Sequence, residues 1–236
     1  MKKVFTLAIK QSDMNYFSSI QGIISKDIRS ELRTRYAINA LLMFVIISVT
    51  TILFALHDED ITPEILSGMF WVVVFFTAMS GLSRIFVSEE ERGTTLVLHL
   101  VASPSAVYAG KLLFNCLLTL VLAAAVSVLY LFVFPSFVVK SWEVFVPTII
   151  LGCIGFSSSA TIIAAIIAKA NTKGTLYPVL SFPLLLPLLL EVMRATAMAL
   201  NGEPISAALG EFQILISYIL VVVAGSYLLF DFVWKE

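Results

Sequence analysis

Six apolar runs, each long enough to cross a bilayer as a helix, constrain this chain more than any other feature. They fall at about residues 36–56, 65–86, 112–134, 144–168, 175–194 and 212–230. A spanning helix takes roughly 20 apolar residues, so six of them use most of the 236 available. Only 13% of residues are charged, about half the usual share of a soluble domain. The reading is an all-α integral membrane protein in one domain, 1–236, with no room for an ATPase domain. The net charge of −1 gives no case for a nucleic-acid partner. Cys116 and Cys153 both lie inside apolar runs and read as small buried hydrophobes. The N-terminus has two lysines but no long apolar stretch with a small-residue cleavage site, so it does not read as a signal peptide.

Lysine and arginine set the expected orientation. With the N-terminus inside, thirteen of the fifteen fall on the inner side, and only Lys140 and Arg194 fall outside. Both termini are then expected in the cytoplasm, together with the loop after the second run. The outer loops are too short to fold into a domain.

Residues 12–36 carry Phe17, Ile20, Ile24, Ile28 and Leu32 at helical spacing, with Lys26, Asp27, Arg29, Glu31, Arg33 and Arg35 between them. That pattern predicts an amphipathic helix in the headgroup plane, its cations near anionic lipid phosphates. A soluble extramembrane helix is the plainer alternative.

Residues 83–112 form the longest polar interruption between runs. They hold Glu89, Glu90, Glu91, Arg92, Gly93 and Thr94, then a short amphipathic piece, a break at Ser103-Pro104-Ser105, and Lys111. A short helix between two polar hinges suits docking to a soluble partner; the plainer reading is a solvated loop. The fifth run contains Pro178, Pro183 and Pro187. Each proline removes a helix donor and clashes with the preceding turn, so a kinked or partly broken helix inside the bundle or along a pathway is expected. Glu191 and Arg194, at i and i+3, are candidates for a pathway or gating role by their depth, or else an interfacial ion pair. Gly152 and Gly155 read as close-packing positions.

No catalytic pattern is present: no Gly-x-Ser-x-Gly, no His-Glu-x-x-His, and no phosphate-binding loop around Lys173-Gly174-Thr175. His57 and His99 have no companion at ligand spacing, so neither is read as a metal or haem ligand, and Met193 and Met198 read as packing.

Four segments in order carry a family resemblance. They are KDIRSELRTR before the first span, ILSGMFWVVVFFTAMSGLSRIFVSEEERGT, LVASPSAVYAGKLLFN, and FPLLLPLLL in the fifth span. Together they resemble the CcmB family, the permease subunit of the haem-exporter-type ABC transporter of cytochrome c maturation. Many members carry Gly-Thr-Leu-Glu where this chain has Gly93-Thr94-Thr95-Leu96. The resemblance implies an ABC-2-type permease architecture in the bacterial inner membrane. It implies a homodimer with a CcmA-like ATPase subunit, CcmC-like and CcmD-like membrane proteins, and a CcmE-like haem chaperone. ATP would act on the partner subunit, with haem as cargo or on partner proteins and no cofactor bound by this chain. The central loop would couple to the ATPase through Glu89, Glu90, Glu91, Arg92, Gly93 and Thr94. An ABC-2-type permease for a lipid, polysaccharide or drug is the nearest rival. A stand-alone secondary transporter is a rival from another class, and would want intramembrane carboxylates or a repeated pair of broken helices.

Overall fold

The computed structural model describes residues 2–33, 36–56, 61–83, 85, 86, 89, 93–169 and 176–235. These residues form eight helices and no strand. They are α1 (Lys2–Arg33), α2 (Tyr36–Ala55), α3 (Pro63–Leu82), α4 (Thr95–Val101), α5 (Pro104–Val133), α6 (Trp142–Lys169), α7 (Leu176–Asn201) and α8 (Leu209–Lys235). Six of them, α2, α3 and α5 to α8, are long and apolar enough to span a membrane.

Local chemistry sets where two spans begin. Thr62 caps α3 by accepting from the Ile65 amide at 3.5 Å, and Pro63 follows. Ser103 caps α5 by accepting from the Ala106 amide at 3.4 Å, and Pro104 follows. At the first helical position proline loses nothing, because that amide has no intrahelical acceptor. Ser103-Pro104 therefore opens a helix where the sequence reading placed a break, and the third span starts at Pro104 rather than near Leu112. At 30 residues α5 is about 45 Å long, against a hydrocarbon thickness of about 30 Å. A helix of that length is accommodated by tilting or by extending past the apolar layer.

Helix α6 is the centre of the bundle and packs against α3, α5, α7 and α8, whereas α2 and α8 lie at the periphery. Close approach to α6 depends on its glycines. A Cβ on Gly152 would lie 2.5 Å from the Trp71 ring, and one on Gly155 would lie 2.6 Å from Leu188. Buried polar groups tie the helices further. Trp71 Nε1 donates to Thr196 Oγ1 at 2.7 Å, and Asn115 Nδ2 donates to Thr161 Oγ1 at 2.7 Å.

Helix α7 packs within the bundle against α3, α6 and α8 and runs without interruption through Pro183 and Pro187, both of which lie on its exposed face. The reason is which side of α7 is buried: Leu185, Leu188, Leu189 and Val192 hold it to its neighbours. Pro178 falls in the first turn, where a proline disturbs a helix least. Because Pro187 has no N–H, the Pro183 carbonyl loses its helical donor. One residue on, the Leu184 carbonyl accepts from the Tyr218 hydroxyl of α8 at 2.9 Å. That donation uses the only hydroxyl hydrogen of Tyr218, so Ser159 of α6 is the donor in its 2.7 Å contact with the same oxygen.

Helix α1 is longer than the predicted 12–36 at its start and packs along α5. The side that packs on the protein is set apart from the ends of the stripe expected to face lipid. Ile23 and Asp27 face inward, while Phe17 and Leu32 are exposed. Gly110 is the reason, since a Cβ there would come within 2.9 Å of Ile23.

Candidate functional site: a charge lock beneath a short exposed helix

The end of the bundle that carries α1 and α4 holds a buried ionic cluster. Lys111, in the second turn of α5, is 1% exposed. Its ammonium has three hydrogens and three hydrogen-bond acceptors. Asp27 Oδ1 of α1 lies at 3.1 Å, Glu89 Oε1 at 2.7 Å, and the Ile85 carbonyl at 3.4 Å. Asp27 Oδ2 lies 2.9 Å from the same nitrogen, so both oxygens of that carboxylate face the ammonium. The Phe86 ring lies 5.8 Å from the same nitrogen.

Lys26, next to Asp27 on α1, completes the cluster from its rim and is 42% exposed. It pairs with Asp27 at 3.3 Å and donates to Glu89. Two cations and two carboxylates leave the cluster neutral. Glu89 also accepts from the Thr94 hydroxyl, and the Thr94 amide donates to the Glu89 carbonyl at 3.0 Å. Gly93, next to Thr94, has φ at +65°, where a Cβ would be strained.

Burial works to raise the Glu89 carboxyl. The Lys111 charge and the hydrogen bonds from Lys111, Lys26 and Thr94 outweigh it, and hold the group at about 2. A carboxylate held this low is ionised at any physiological pH.

Beyond this loop sits α4. Leu98 is buried under it, and Leu100 is 88% exposed. A second tie holds α4 from the other side, where His99 stacks on Trp234 of α8 at 4.2 Å between ring centres and 18° between planes. Trp234 in turn contacts Phe86 and Phe230. These contacts place the last turn of α8 at the same end of the bundle as α1.

The six loop residues expected to meet a partner thus divide. Glu89 is turned inward, because a buried lysine requires a counter-charge, and Thr94 supports it. Gly93 is exposed. Glu90, Glu91 and Arg92 lie outside the described residues, as does His57. Glu191 and Arg194 form their i, i+3 pair at 3.3 Å in α7, with Arg194 66% exposed. They sit toward the opposite end of the bundle and belong to no wider cluster of charges among the described residues. Nor do those residues hold a group of three His, Cys, Asp or Glu able to ligate a metal.

Sequence reasoning named Lys26, Asp27 and Lys111 but gave none of them a role in a site. The available signal was Lys111 itself. Once Ser103-Pro104 is recognised as a helix start, a lysine seven residues in, between Ala109-Gly110 and Leu112-Leu113, needs an anionic partner from elsewhere in the chain.

A bundle of six spanning helices, with an amphipathic helix packed at one end and a short exposed helix beside it, defines a multi-pass membrane protein. Residues 18–230 match the family described as CcmB protein. Over 192 residues the chain is 30% identical to Heme exporter protein B of Rhodobacter capsulatus, covering 78% of this chain and 86% of that protein. The chain belongs to the CcmB family.

Proposed function

We propose that this chain is the membrane subunit of an ABC transporter of the haem-export class, coupling ATP hydrolysis by a separate subunit to haem export or to release of a haem-loaded chaperone. The name of the Rhodobacter relative supports the cargo class. The observation that carries the coupling role is α4: a seven-residue helix at the end of the bundle, tied to the charge lock through its N-cap Thr94 and to α8 through the His99–Trp234 stack, with Leu100 88% exposed. A short helix with an exposed leucine suits insertion into an apolar groove on a soluble ATPase.

The excess of lysine and arginine at this end supports a cytoplasmic location for α1, α4 and both termini, in the bacterial inner membrane. Glu89 then acts by holding α4 in place, and the direct contacts come from Leu100 and its neighbours. The resemblance to the family supports a homodimer working with CcmA-like ATPase subunits, CcmC-like and CcmD-like membrane proteins and a CcmE-like chaperone. ATP binds the ATPase subunit, and haem is handled as cargo or on those partners.

Affinity purification of the tagged chain with its ATPase tests this reading. Leu100→Asp should abolish recovery of the ATPase while leaving the chain monodisperse and equally heat-stable. Undiminished recovery of the ATPase with Leu100→Asp would refute α4 as the docking element.

A further inference from the structure

We infer that the outward face of α8 seats a membrane-spanning helix of a different polypeptide. That helix carries a hydrogen-bonding side chain at the depth of Gln213 and Ser217, and a lysine or arginine beside Asp231. The inference adds a site to the assembly with other membrane proteins proposed above and rests on that reading.

One side of α8 holds it to the bundle. Phe212, Leu215, Phe230 and Trp234 are buried there. Phe230 and Trp234 pack on Phe86, and Tyr227 and Phe230 pack on Tyr108. On the far side, Gln213, Ser217, Ala224 and Asp231 follow at spacings of four, seven and seven residues, which puts them on one line along the helix. All four are exposed, and Leu220, Val221 and Leu228 flank them.

Helix α2 shows what a face turned to acyl chains looks like in the same molecule. Both α2 and α8 lie at the periphery, with 17% of their apolar stretches buried. At the same four- and seven-residue spacing α2 exposes Met43, Ile47 and Phe54, where α8 exposes a glutamine, a serine and an alanine. The hydroxyls differ as well. Thr50, Thr51 and Ser80, also exposed on spans, donate to carbonyls one turn back at 2.7, 2.8 and 2.8 Å. The Ser217 hydroxyl and the Gln213 amide make no bond to the described residues. Ser217 adjoins Tyr218, whose hydroxyl meets Leu184 and Ser159 in the interiors of α7 and α6, so it lies within the apolar layer. A polar group at that depth is stabilised by a partner across a helix–helix contact, and small residues such as Ser217 and Ala224 let the partner approach closely.

Asp231 selects the kind of partner. It lies beside Trp234, at the end of the bundle that carries α1. A second copy of this chain docked face to face about a two-fold axis would set Asp231 against Asp231. A different spanning helix concentrates its lysines and arginines at its cytoplasmic end, whichever way it runs. It therefore meets Asp231 with a cation.

Photocrosslinking in membranes of cells producing the whole transporter tests this. Leu220 and Leu228, which flank the line without belonging to it, are replaced one at a time by a photoreactive diazirine amino acid, and the adducts are sequenced. Both positions should label one spanning segment of one other polypeptide, with the label from position 228 nearer its basic end. Ala224→Leu and Asp231→Lys should each lower that adduct about tenfold or more and leave the chain monodisperse, because both positions face away from the bundle. If Asp231→Lys disturbs folding, Asp231→Asn should act in the same direction at smaller amplitude. Adducts to lipid alone, to a second copy of the chain or to a segment outside the membrane would overturn the inference, as would a yield that neither substitution changes. ATPase recovery is read from the same membranes: ATPase recovered without the α8 adduct defeats this inference alone, and the adduct without ATPase defeats the coupling role of α4 alone.

Discussion

The described residues hold charged groups of like chemistry in two unlike settings. Around Lys111, two carboxylates, a second lysine, a threonine and a backbone carbonyl close on a nitrogen that solvent does not reach. In α7, Arg194 reaches Glu191 through one bond at 3.3 Å and is otherwise exposed, while Glu191 Oε2 is buried without a partner. The first pair joins three separate elements of the chain; the second joins one turn of a helix to the next. The difference teaches where charge can organise a membrane protein. A buried cation fixes every element that supplies it with an acceptor, because losing any one leaves an uncompensated charge. A pair within one helix constrains nothing beyond that helix.

The largest effect that separates the two regions is expected from Lys111→Met. It leaves Asp27 and Glu89 facing each other with only the rim lysine between them. The expected loss is about 3–5 kcal/mol, visible as poor recovery of monodisperse protein and a large drop in thermal stability. Recovery equal to wild type would mean that solvent reaches the cluster.

Next in size is the effect of acid on Glu89. Its folded carboxyl sits at about 2, below an ordinary value of 4.5. Because the folded value is lowered, its contribution is complete above about 4.5 and is lost as pH falls toward about 2. Thermal unfolding across that window should show a decline that Glu89→Gln flattens. A slope unchanged by the substitution would assign the acid sensitivity to other groups.

Gly110→Leu tests the packing that accompanies the lock. The new side chain must displace Ile23, which a Cβ alone would approach at 2.9 Å. A loss of about 1–3 kcal/mol is expected, with proteolysis of α1 accelerated. Gly22→Ala on the same helix meets nothing within 4 Å and should be neutral or slightly stabilising. The smallest effect belongs to Arg194→Gln, at no more than about 1 kcal/mol in detergent. A large loss of stability there would place the α7 pair in a tight contact that the isolated protomer does not contain.

Much of the architecture was legible in the sequence because bilayer thickness leaves few choices for long apolar runs. The six spans and the preceding amphipathic helix follow from hydropathy and helical spacing alone. Their boundaries did not, and Ser103-Pro104 shows why. The same dipeptide ends one helix or begins another, and only the capping bond from Ala106 to the Ser103 hydroxyl decides. The prolines of α7 left their placement open for a related reason. They predict lost backbone bonds, but not which side of the helix a bundle leaves outward. The site was the least legible part. Asp27 and Lys111 are 84 positions apart, and nothing local to either announces the other. Glu89 read as a partner-facing acid because it sits in a polar run, and one buried lysine reverses that reading.

A double-mutant cycle between Asp27 and Glu89, read by denaturant unfolding in detergent, tests the shared lysine most directly. With either carboxylate removed, Lys111 keeps one counter-charge; with both removed it keeps none. The combined loss for Asp27→Asn with Glu89→Gln should therefore exceed the sum of the single losses by about 1 kcal/mol or more. Additivity within about 0.5 kcal/mol would show two independent contacts and contradict a single lock.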